Sequence, residues 1–343
     1  MNYDAPQLVI SSSPFVKRGV DTPAIMRHVM YALAPAAVAS VYFFGLSALL
    51  IIVTCMVSAM AMEWVLGGRG PLRDSPISDG SAALTGLLLA MTLPPGLPLW
   101  MAFLGSAVAV VVGKLLFGGL GQNVFNPSLT GRAFLQASFP VALTTWPGHS
   151  NWGGFLQLRG DNLAIPFVSP HFDAISSATP LAKMKFESQL TDLSELLLGT
   201  TSGSLGETSA LLILLGGIYL AYRGFLNWRV PLGIFATVFA FATILHFVDA
   251  VRFPDGMHHL LSGGLVLGAV FMATDPVTSP VTPRGSWVFA FGVGFLVVLI
   301  RQFGGLPEGV MYSILLMNAA TPLIDRFTQP RIYGASGRKE EKA

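Results

Sequence analysis

The sequence predicts an all-α integral membrane protein with ten transmembrane segments, arranged as two inverted five-helix repeats with short or broken helices. Composition is the first observation. Of the 343 residues, 52% are hydrophobic and only 11% are charged, and the mean hydropathy is +0.63. Soluble domains carry about 25% charged residues, so the chain is predicted to lie in a membrane. Its net charge of +2 does not indicate a nucleic-acid partner, and membrane lipid is the expected surrounding.

The spacing of apolar segments is the second observation. A helix needs about 20 apolar residues to cross a bilayer. With allowance for short segments, ten candidates follow one another along the chain, near residues 28–45, 46–66, 80–94, 98–118, 126–141, 208–223, 229–248, 259–273, 286–303 and 308–326. The third, fifth, sixth and eighth are too short to span comfortably. They are predicted to be broken or re-entrant helices whose ends are covered by other protein.

The distribution of basic residues is the third observation. With a cytoplasmic N-terminus, fifteen of the twenty Lys and Arg residues, among them Lys114 and Arg132, fall on the inner side, and Arg301 is one of the five on the outer side. Cytoplasmic loops of membrane proteins carry an excess of these residues. Both termini are therefore predicted to be cytoplasmic, and the long loop of residues 142–207 is predicted to be periplasmic.

The two halves of the chain resemble each other. Phe117-Gly118-Gly119-Leu120 ends the fourth segment, and Phe303-Gly304-Gly305-Leu306 ends the ninth. Because five segments are an odd number, a second copy enters the membrane in the opposite direction. We therefore divide the chain into a cytoplasmic segment with the first repeat (1–141), a periplasmic loop (142–207), the second repeat (208–326) and a cytoplasmic tail (327–343).

The periplasmic loop contains Asp173-Ala-Ile-Ser-Ser-Ala-Thr179-Pro180. Pro180 disfavours helical backbone at Thr179, and one interpretation is a Ser-rich loop that leads into a helix. The spacing Asp-x-x-Ser-x-Ala-Thr also resembles the flavinylation motif Asp-x-x-[Ser/Thr]-Gly-Ala-Thr, with Ser177 where Gly is usual. In that motif a flavin transferase joins the phosphate of FMN to the threonine as an ester.

The resemblance implies a role for each residue of this loop. Thr179 would carry FMN on an accessible hydroxyl in an exposed segment. Asp173 and Ser176 would engage the transferase or its metal, and Ala178 would keep the approach clear; Ser177, at the position where the motif has Gly, is also counted among the flavin-site residues.

Three further stretches extend the resemblance over nearly all of residues 15–330. They are residues 79–95 (Asp-Gly-Ser through Leu-Pro-Pro), 119–127 (Gly-Leu-Gly through Phe-Asn-Pro) and 271–280 (Phe-Met-Ala-Thr-Asp-Pro through Ser-Pro). The chain resembles the RnfD/NqrB family. Its members belong to the Rnf ion-translocating electron-transport complex and to the sodium-translocating NADH:quinone reductase.

That family implies a subunit of an ion-translocating oxidoreductase in the bacterial inner membrane. Its electron transfer would be linked to Na⁺ or H⁺ movement. The implied cofactors are covalent FMN and a second, non-covalent flavin such as riboflavin. The implied partners are the ferredoxin-side iron–sulfur subunit, the NADH-side flavoprotein, a second subunit with covalent FMN, and the flavin transferase.

Other residues are candidates for flavin contacts. Small residues let a flat ring approach the backbone, and Gly118, Gly119 and Gly121 follow the fourth segment; tight helix packing is the alternative. Asp275 lies in the Pro-interrupted stretch 274–280, which could form a second polar site at a broken helix. The alternative is a cytoplasmic turn in which Asp275 caps a helix end.

The remaining polar residues are interpreted as structural. Glu63, the one acid inside a long apolar segment, could relay ions or extend to the cytoplasmic interface. The single cysteine, Cys55, fits a core position, and His258-His259 fits an interface better than a metal site. No nicotinamide fingerprint, Walker loop or nucleophile elbow is present. We therefore predict no catalytic residues and no complete active site in this chain alone.

Two rival functions remain open at this point. A solute channel or transporter is also typical of inverted five-helix repeats with half-helices. A flavin-free scaffold would keep the partners and lose the cofactor. The feature that favours a flavoprotein is the loop that ends at Thr179, for which a channel has no need.

Overall fold

A computed structural model describes residues 21–68, 76–148, 155–166, 177–187, 189–207, 209–250 and 253–330. Within these ranges the chain is helical, and they contain no β-strand. Asp173 and Ser176 of the predicted motif lie outside the described residues. The predicted all-α class is confirmed for the part of the chain that can be described.

The first half contains six helices. They are α1 (Thr22–Phe44), α2 (Leu46–Gly67), α3 (Ser81–Met91), α4 (Leu99–Val111), α5 (Pro127–Ser138) and α6 (Pro140–Thr144). Short 3-10 turns cover Pro76–Asp79 and Leu115–Phe117. Each of the first five predicted membrane segments therefore contains a helix.

The rest of the chain forms a connecting region and a second helical half. The connecting region holds α7 (Pro180–Ala182), a π-helical turn (Lys183–Glu187), α8 (Leu193–Leu198) and a 3-10 turn (Leu205–Glu207). The second half holds α9 (Ala210–Arg223), α10 (Arg229–Val248), α11 (Gly256–Leu261), α12 (Leu265–Leu267) with a π turn (Gly268–Met272), α13 (Pro283–Phe303) and α14 (Val310–Thr328). The last five predicted segments again coincide with helices.

Five helices of the described chain are long and apolar enough to cross a membrane. They cover Thr22–Phe44, Leu46–Gly67, Leu99–Phe117, Arg229–Val248 and Pro283–Phe303. Between α1 and α2 the chain turns at Gly45, whose φ of 69° suits glycine. A Cβ at Gly45 would lie 2.6 Å from the carbonyl oxygen of Phe155. The backbone of the connecting region thus packs directly on the α1–α2 turn.

Two short elements lie at the centre of the fold. Helix α3 has eleven residues, which at ~1.5 Å per residue cover about half of a bilayer core. Ten of the eleven are buried, and α3 packs against α1, α2, α4 and α5. The second element runs from α11 to the π turn and is interrupted at Gly263, where φ is 71°. The predicted short and broken segments at 80–94 and 259–273 are therefore present, and other helices cover them.

Equivalent helices pack in the same way in the two halves. Helix α2 packs on α4, and α4 packs on α5; correspondingly, α10 packs on α13, and α13 packs on α14. Contacts between the halves run mainly through α1 with α9 and through α5 with α14. One short helix, α5, therefore lies where the two halves meet.

A buried ion pair joins the C-terminal end of α2 to the residues that follow α4. The Glu63 carboxyl of α2 accepts a hydrogen bond from Lys114 Nζ, which also donates to Ser81 Oγ at the start of α3. The side chains of Glu63 and Lys114 are 1% and 2% exposed. The prediction that Glu63 extends to the interface is wrong, because Lys114 neutralises it inside the protein.

The ion pair also changes how the basic residues are counted. Lys114 and Arg301 were assigned to opposite sides of the membrane, and both are buried. They are internal ligands for polar groups and carry no information about the loops. Arg159, also counted on the outer side, is buried as well, so one inner and two outer residues drop out and the excess of inner Lys and Arg is preserved.

Candidate functional site

Thr179 begins α7 and is its N-cap. Its backbone is extended (φ −69°, ψ 157°), as Pro180 at the first helical position requires. Its Oγ1 accepts a hydrogen bond from Ala182 N at 3.2 Å, the usual bond of a threonine cap. The interpretation of this stretch as a loop that leads into a helix is confirmed for residues 177–182.

The surroundings of Thr179 differ from the expected exposed loop. Thr179 is 7% exposed, and Pro180 and Leu181 are buried as well. Ser177 is fixed from both its N–H and its hydroxyl, which donate to Trp146 O at 2.8 and 2.9 Å. The prediction of a freely accessible hydroxyl is wrong for this conformation, because α7 packs into the fold through Leu181.

A cavity of about 300 Å³ opens beside Thr179, and we call it the Thr179 cavity. Helices α5, α6, α7 and α14 and the α13–α14 linker enclose it. Its aromatic walls are Trp146, Phe186 and Tyr312, and Ser177 and Ala178 also line it. Largely apolar walls with a few polar groups are typical of sites for organic ligands.

Three charged side chains and one amide also line the Thr179 cavity: Arg132, Glu207, Glu308 and Gln136. Arg132 of α5 donates to the Thr92 carbonyl at the end of α3. Glu308 accepts hydrogen bonds from Gly264 N at 3.2 Å and from Val310 N at 3.1 Å. Burial and the neighbouring Glu308 carboxylate raise the pKa of Glu207 above its ordinary value.

A second cavity, the Asp275 cavity, lies at the other end of α5. The Thr179 cavity is lined by Gln136, near the C-terminus of α5, whereas this one is lined by its first residues, Pro127 and Ser128. Its volume is about 100 Å³. Apolar residues of α1, α3 and α9 form its walls, together with Phe225 and Phe271. The two cavities thus lie along one twelve-residue helix, with the Asp275 cavity at its first residues and the Thr179 cavity reached from its middle, at Arg132, and its end, at Gln136.

Asp275 serves a turn and lines a cavity at the same time. Its carboxyl accepts hydrogen bonds from Val277 N and Thr278 Oγ1, both at 3.3 Å. The turn that the sequence offered as the alternative is present, but Asp275 caps no helix end, because the π turn ends at Met272 and the next helix begins at Pro283. Asp275 also lines the second cavity with Thr274 and Asn123, and burial raises the pKa of its carboxyl.

The asparagines that precede α5 hold the two halves together. Asn126 accepts from Leu129 N at 3.3 Å as the α5 N-cap, and its Nδ2 donates to Met272 O at 3.1 Å. Met272 ends the π turn of the broken helix, where α-helical bonding is interrupted. Asn123 donates to Phe125 O at 3.2 Å. Asn126 thus joins the broken backbone of one half to a helix start in the other.

The three candidate glycines form the turn after the fourth segment. Gly118, Gly119 and Gly121 have φ values of 110°, 100° and 90°, which favour glycine. A Cβ on Gly119 or Gly121 would meet no atom within 4 Å. Tight helix packing is therefore not the reason for these two glycines. They line neither cavity, although Leu120 between them lines the Asp275 cavity, so their contact with a flavin stays a prediction.

The histidines of α11 contact protein groups. His258 pairs with Asp255, and the His259 ring, which is buried, lies 2.6 Å from the side-chain nitrogen of Gln302. Arg301 donates to the backbone carbonyls of His259 and Ser262. Among the residues that the structure describes, no group of three His, Cys, Asp or Glu side chains could hold a metal ion.

The charged residues of the Thr179 cavity were missed at the sequence level. Arg132 was interpreted only as a topology signal, and Glu207 and Glu308 had no predicted role. One signal was available: both acids lie next to predicted short or Gly-rich elements, at residues 208 and 304–305. Polar residues beside helix breaks often line ligand sites in membrane proteins.

These features define a class: a helical membrane protein in which largely apolar cavities with a few polar groups open beside a short helix and a broken one. Within this class, the chain belongs to the NQR2, RnfD, RnfE family, whose model matches residues 9–334. The resemblance inferred from the motifs is confirmed.

Curated relatives match over nearly the full length of the chain. It is 44% identical to the D subunit of the proton-translocating ferredoxin:NAD(+) oxidoreductase complex of Clostridium ljungdahlii, covering 95% of this chain and 96% of the relative. It is 42% identical to the D subunit of the Na(+)-translocating ferredoxin:NAD(+) oxidoreductase complex of Acetobacterium woodii, and the match covers 97% of this chain and 98% of the relative. It is also 44% identical to the D subunit of the ion-translocating oxidoreductase complex of Stutzerimonas stutzeri, covering 92% of each chain.

Proposed function

We propose that this protein is the RnfD-type membrane flavoprotein of an Rnf-type ion-translocating ferredoxin:NAD⁺ oxidoreductase, and that it carries FMN as a phosphoester on Thr179. The observation that carries the proposal is the position of Thr179, which begins a helix at the wall of a 300 Å³ cavity. The relatives named for the same subunit of such complexes support the assignment.

The bonding of Thr179 is compatible with an ester. In the N-cap bond, Oγ1 is the acceptor and Ala182 N is the donor, so the cap does not use the hydroxyl hydrogen. That hydrogen is the atom that a phosphoryl group replaces, and an ester oxygen can still accept a hydrogen bond. Thr179 can therefore be modified without loss of the α7 cap.

The Thr179 cavity fits a flavin by chemistry. Trp146, Phe186 and Tyr312 offer surfaces for an aromatic ring, while Arg132 and Gln136 offer donors. Bound there, FMN would supply electron-transfer chemistry that the side chains lack. Because Thr179 is 7% exposed, the flavin transferase would act while α7 is undocked.

A second, non-covalent flavin such as riboflavin is proposed for the Asp275 cavity. Asn123, Thr274 and Asp275 would contact its polar edge, between Phe225 and Phe271. Lys114 also lines this cavity, but its charge is neutralised by Glu63. No free cation of the described lining is therefore left for a phosphate, and a ligand without one is expected. The volume of about 100 Å³ is below that of ordinary ligand sites, so a flavin ring fits only if the cavity widens.

We further propose ten membrane segments in two inverted repeats, with both termini in the cytoplasm and the Thr179 loop in the periplasm of a bacterial inner membrane. The equivalent packing of α2–α4–α5 and α10–α13–α14 supports the repeat. The excess of inner Lys and Arg supports the orientation.

Electron relay through this subunit would be coupled to Na⁺ or H⁺ transport with the help of partner subunits. The proposed partners are the ferredoxin-side iron–sulfur subunit, the NADH-side flavoprotein and a second subunit with covalent FMN. One relative is named for protons and another for sodium at similar identity, so overall similarity does not select the ion. The alternative is a solute channel or transporter without redox activity, which the broken helices alone would also fit.

In-gel flavin fluorescence tests the proposal. The full chain is co-expressed with a flavin transferase, denatured and compared with Thr179→Val and Thr179→Ser. We expect a fluorescent band for the wild type and none for Thr179→Val, which cannot form the ester; Thr179→Ser controls for the loss of the methyl group alone. A dark wild-type band beside a labelled control protein would contradict the proposal and favour the channel or a flavin-free scaffold.

A further inference from the structure

Two carboxyl groups that line the Thr179 cavity approach the same residue. Glu207 ends the 3-10 turn before α9, and Glu308 lies in the linker between α13 and α14. Both line the cavity, and both approach Gly264, where α12 begins. Glu308 Oε2 accepts from Gly264 N at 3.2 Å, and the atom nearest to a Cβ built on Gly264 would be Glu207 Oε1, at 3.7 Å. The two carboxyls therefore flank one glycine of the broken helix.

The bonding of Glu308 fixes it as the charged member of the pair. Its Oε1 accepts from Gly309 N and Val310 N, both at 3.1 Å, and its Oε2 accepts from Gly264 N. Arg301, whose side chain is 1% exposed, adds an ion pair at 3.5 Å. Hydrogen bonds from backbone N–H groups and a neighbouring cation stabilise the ionised form of a carboxyl. Glu308 is thus held as a carboxylate.

Glu207 lies in a different environment. Its backbone N–H donates to the carbonyl of Ser204, the residue before the 3-10 turn, at 3.0 Å. Of the elements that pack on this turn, α3 has no ionisable residue. The ionisable residues of α1 are Arg27, His28, Tyr31 and Tyr42, of which Arg27, Tyr31 and Tyr42 are exposed and His28 bonds Tyr219. Among the described residues, the charged groups that act on Glu207 are Glu308, which is paired with Arg301, and Arg132 of α5.

The balance of these charges favours the neutral form of Glu207. Arg132 opposes the effect, but its guanidinium also donates to the Thr92 carbonyl. Burial and the like charge of Glu308 together outweigh it and raise the pKa of Glu207. Both side chains are only partly buried, but two neighbouring carboxyls are still not both ionised readily, and the one with fewer donors keeps the proton.

We propose that Glu207 is protonated at neutral pH and is the group that gives protons to, and takes them from, a ligand in the Thr179 cavity. Where that ligand is the flavin, the inference rests on the proposed function. Electrons would arrive from a redox partner of the complex, and the proton taken up with them would leave the Glu207 carboxyl as its O–H bond breaks. The resulting carboxylate would regain a proton from water at the cavity mouth, or from the ligand on reoxidation.

Infrared spectroscopy tests the proton site without the flavin. The full chain with Thr179→Val is purified in detergent, and the C=O stretch of protonated carboxyl groups is followed as a function of pH. We expect a protonated band at neutral pH that is lost in Glu207→Gln and kept in Glu195→Gln, an exposed acid on α8. In Glu308→Gln, the Glu207 band should titrate at lower pH, because the negative charge of Glu308 is removed.

Three results would overturn the proposal: no protonated band at neutral pH, a spectrum from which Glu207→Gln removes no protonated band, or a Glu207 titration that Glu308→Gln leaves unchanged. If Glu207→Gln does not fold, Glu207→Asp in protein labelled with ¹³C-glutamate gives the same answer, since the labelled band must disappear.

The flavin step has its own readout. In protein loaded with FMN, the reduction potential should depend on pH less strongly in Glu207→Gln than in the wild type near neutral pH. An equal dependence would overturn the role towards the flavin. If instead no flavin is found on Thr179 while the Glu207 band is present, the proposed cofactor fails and the proton site stands.

Discussion

Replacing Lys114 by methionine is predicted to destabilise the fold strongly. The change keeps much of the side-chain length and removes the charge that neutralises Glu63, whose side chain is 1% exposed. Glu63 Oε2 already has no hydrogen-bond partner, so the carboxyl would be left buried without its cation. Removing one member of a buried ion pair costs about 3–5 kcal/mol.

The single cysteine provides the assay. Cys55 lies on α2, the helix that carries Glu63, and is 0% exposed, so its modification by a maleimide reports opening of the fold. When opening and closing are fast relative to labelling, the rate follows the open population. A cost of ~3–5 kcal/mol then corresponds to labelling about 100- to 4,000-fold faster in Lys114→Met. Lys183→Met, outside the predicted membrane segments, is the control and should label at the wild-type rate.

The double variant Glu63→Leu/Lys114→Met separates loss of the charge pair from loss of packing. With both charges removed, most of the stability should return, since apolar replacement of a buried pair is often neutral. Wild-type labelling rates in Lys114→Met would refute the argument, as would a double variant that labels as fast as the single one.

Other contacts give further predictions that the same labelling assay can check. Gly86→Ala should lower the free energy of unfolding by about 1–3 kcal/mol through overpacking, because its Cβ would lie 2.5 Å from Cys55 O. Gly305→Ala is the control and should be neutral, because a Cβ there meets nothing within 4 Å. Equal effects of the two substitutions would contradict the packing argument. Asn126→Ala should lose the α5 cap, worth ~1 kcal/mol, and leave Met272 O without its donor, worth ~1–3 kcal/mol. Asn126→Ser should recover only the cap, and full recovery would show that the bond to Met272 contributes nothing.

The local features of this chain could be predicted because they depend on neighbours in sequence. The apolar segments are long enough to indicate where the helices lie, and each predicted segment contains one. Pro180 imposes the extended backbone of Thr179, and a threonine before a helix is a natural cap. The glycines after α4 have the positive φ that only glycine adopts readily.

The chemistry of the cavities could not be predicted in the same way. Lys114 neutralises an acid 51 residues away, and Asn126 bonds a carbonyl 146 residues away. Glu207 and Glu308 are brought to the same glycine from opposite ends of the second half. Such partners depend on which helix faces pack together, and an apolar pattern shows that a face is covered without showing by what.

The sequence by itself therefore determined the helical class, the positions of the segments and the motif that ends at Thr179, because these follow from composition and from adjacent residues. Only the tertiary structure decided that Thr179 is buried beside a cavity, that Glu63 is an ion-pair partner, and that a pair of carboxyls lies at a helix break. Burial and charge pairing are properties of residues distant in sequence, and their energies exist only once the helices have packed.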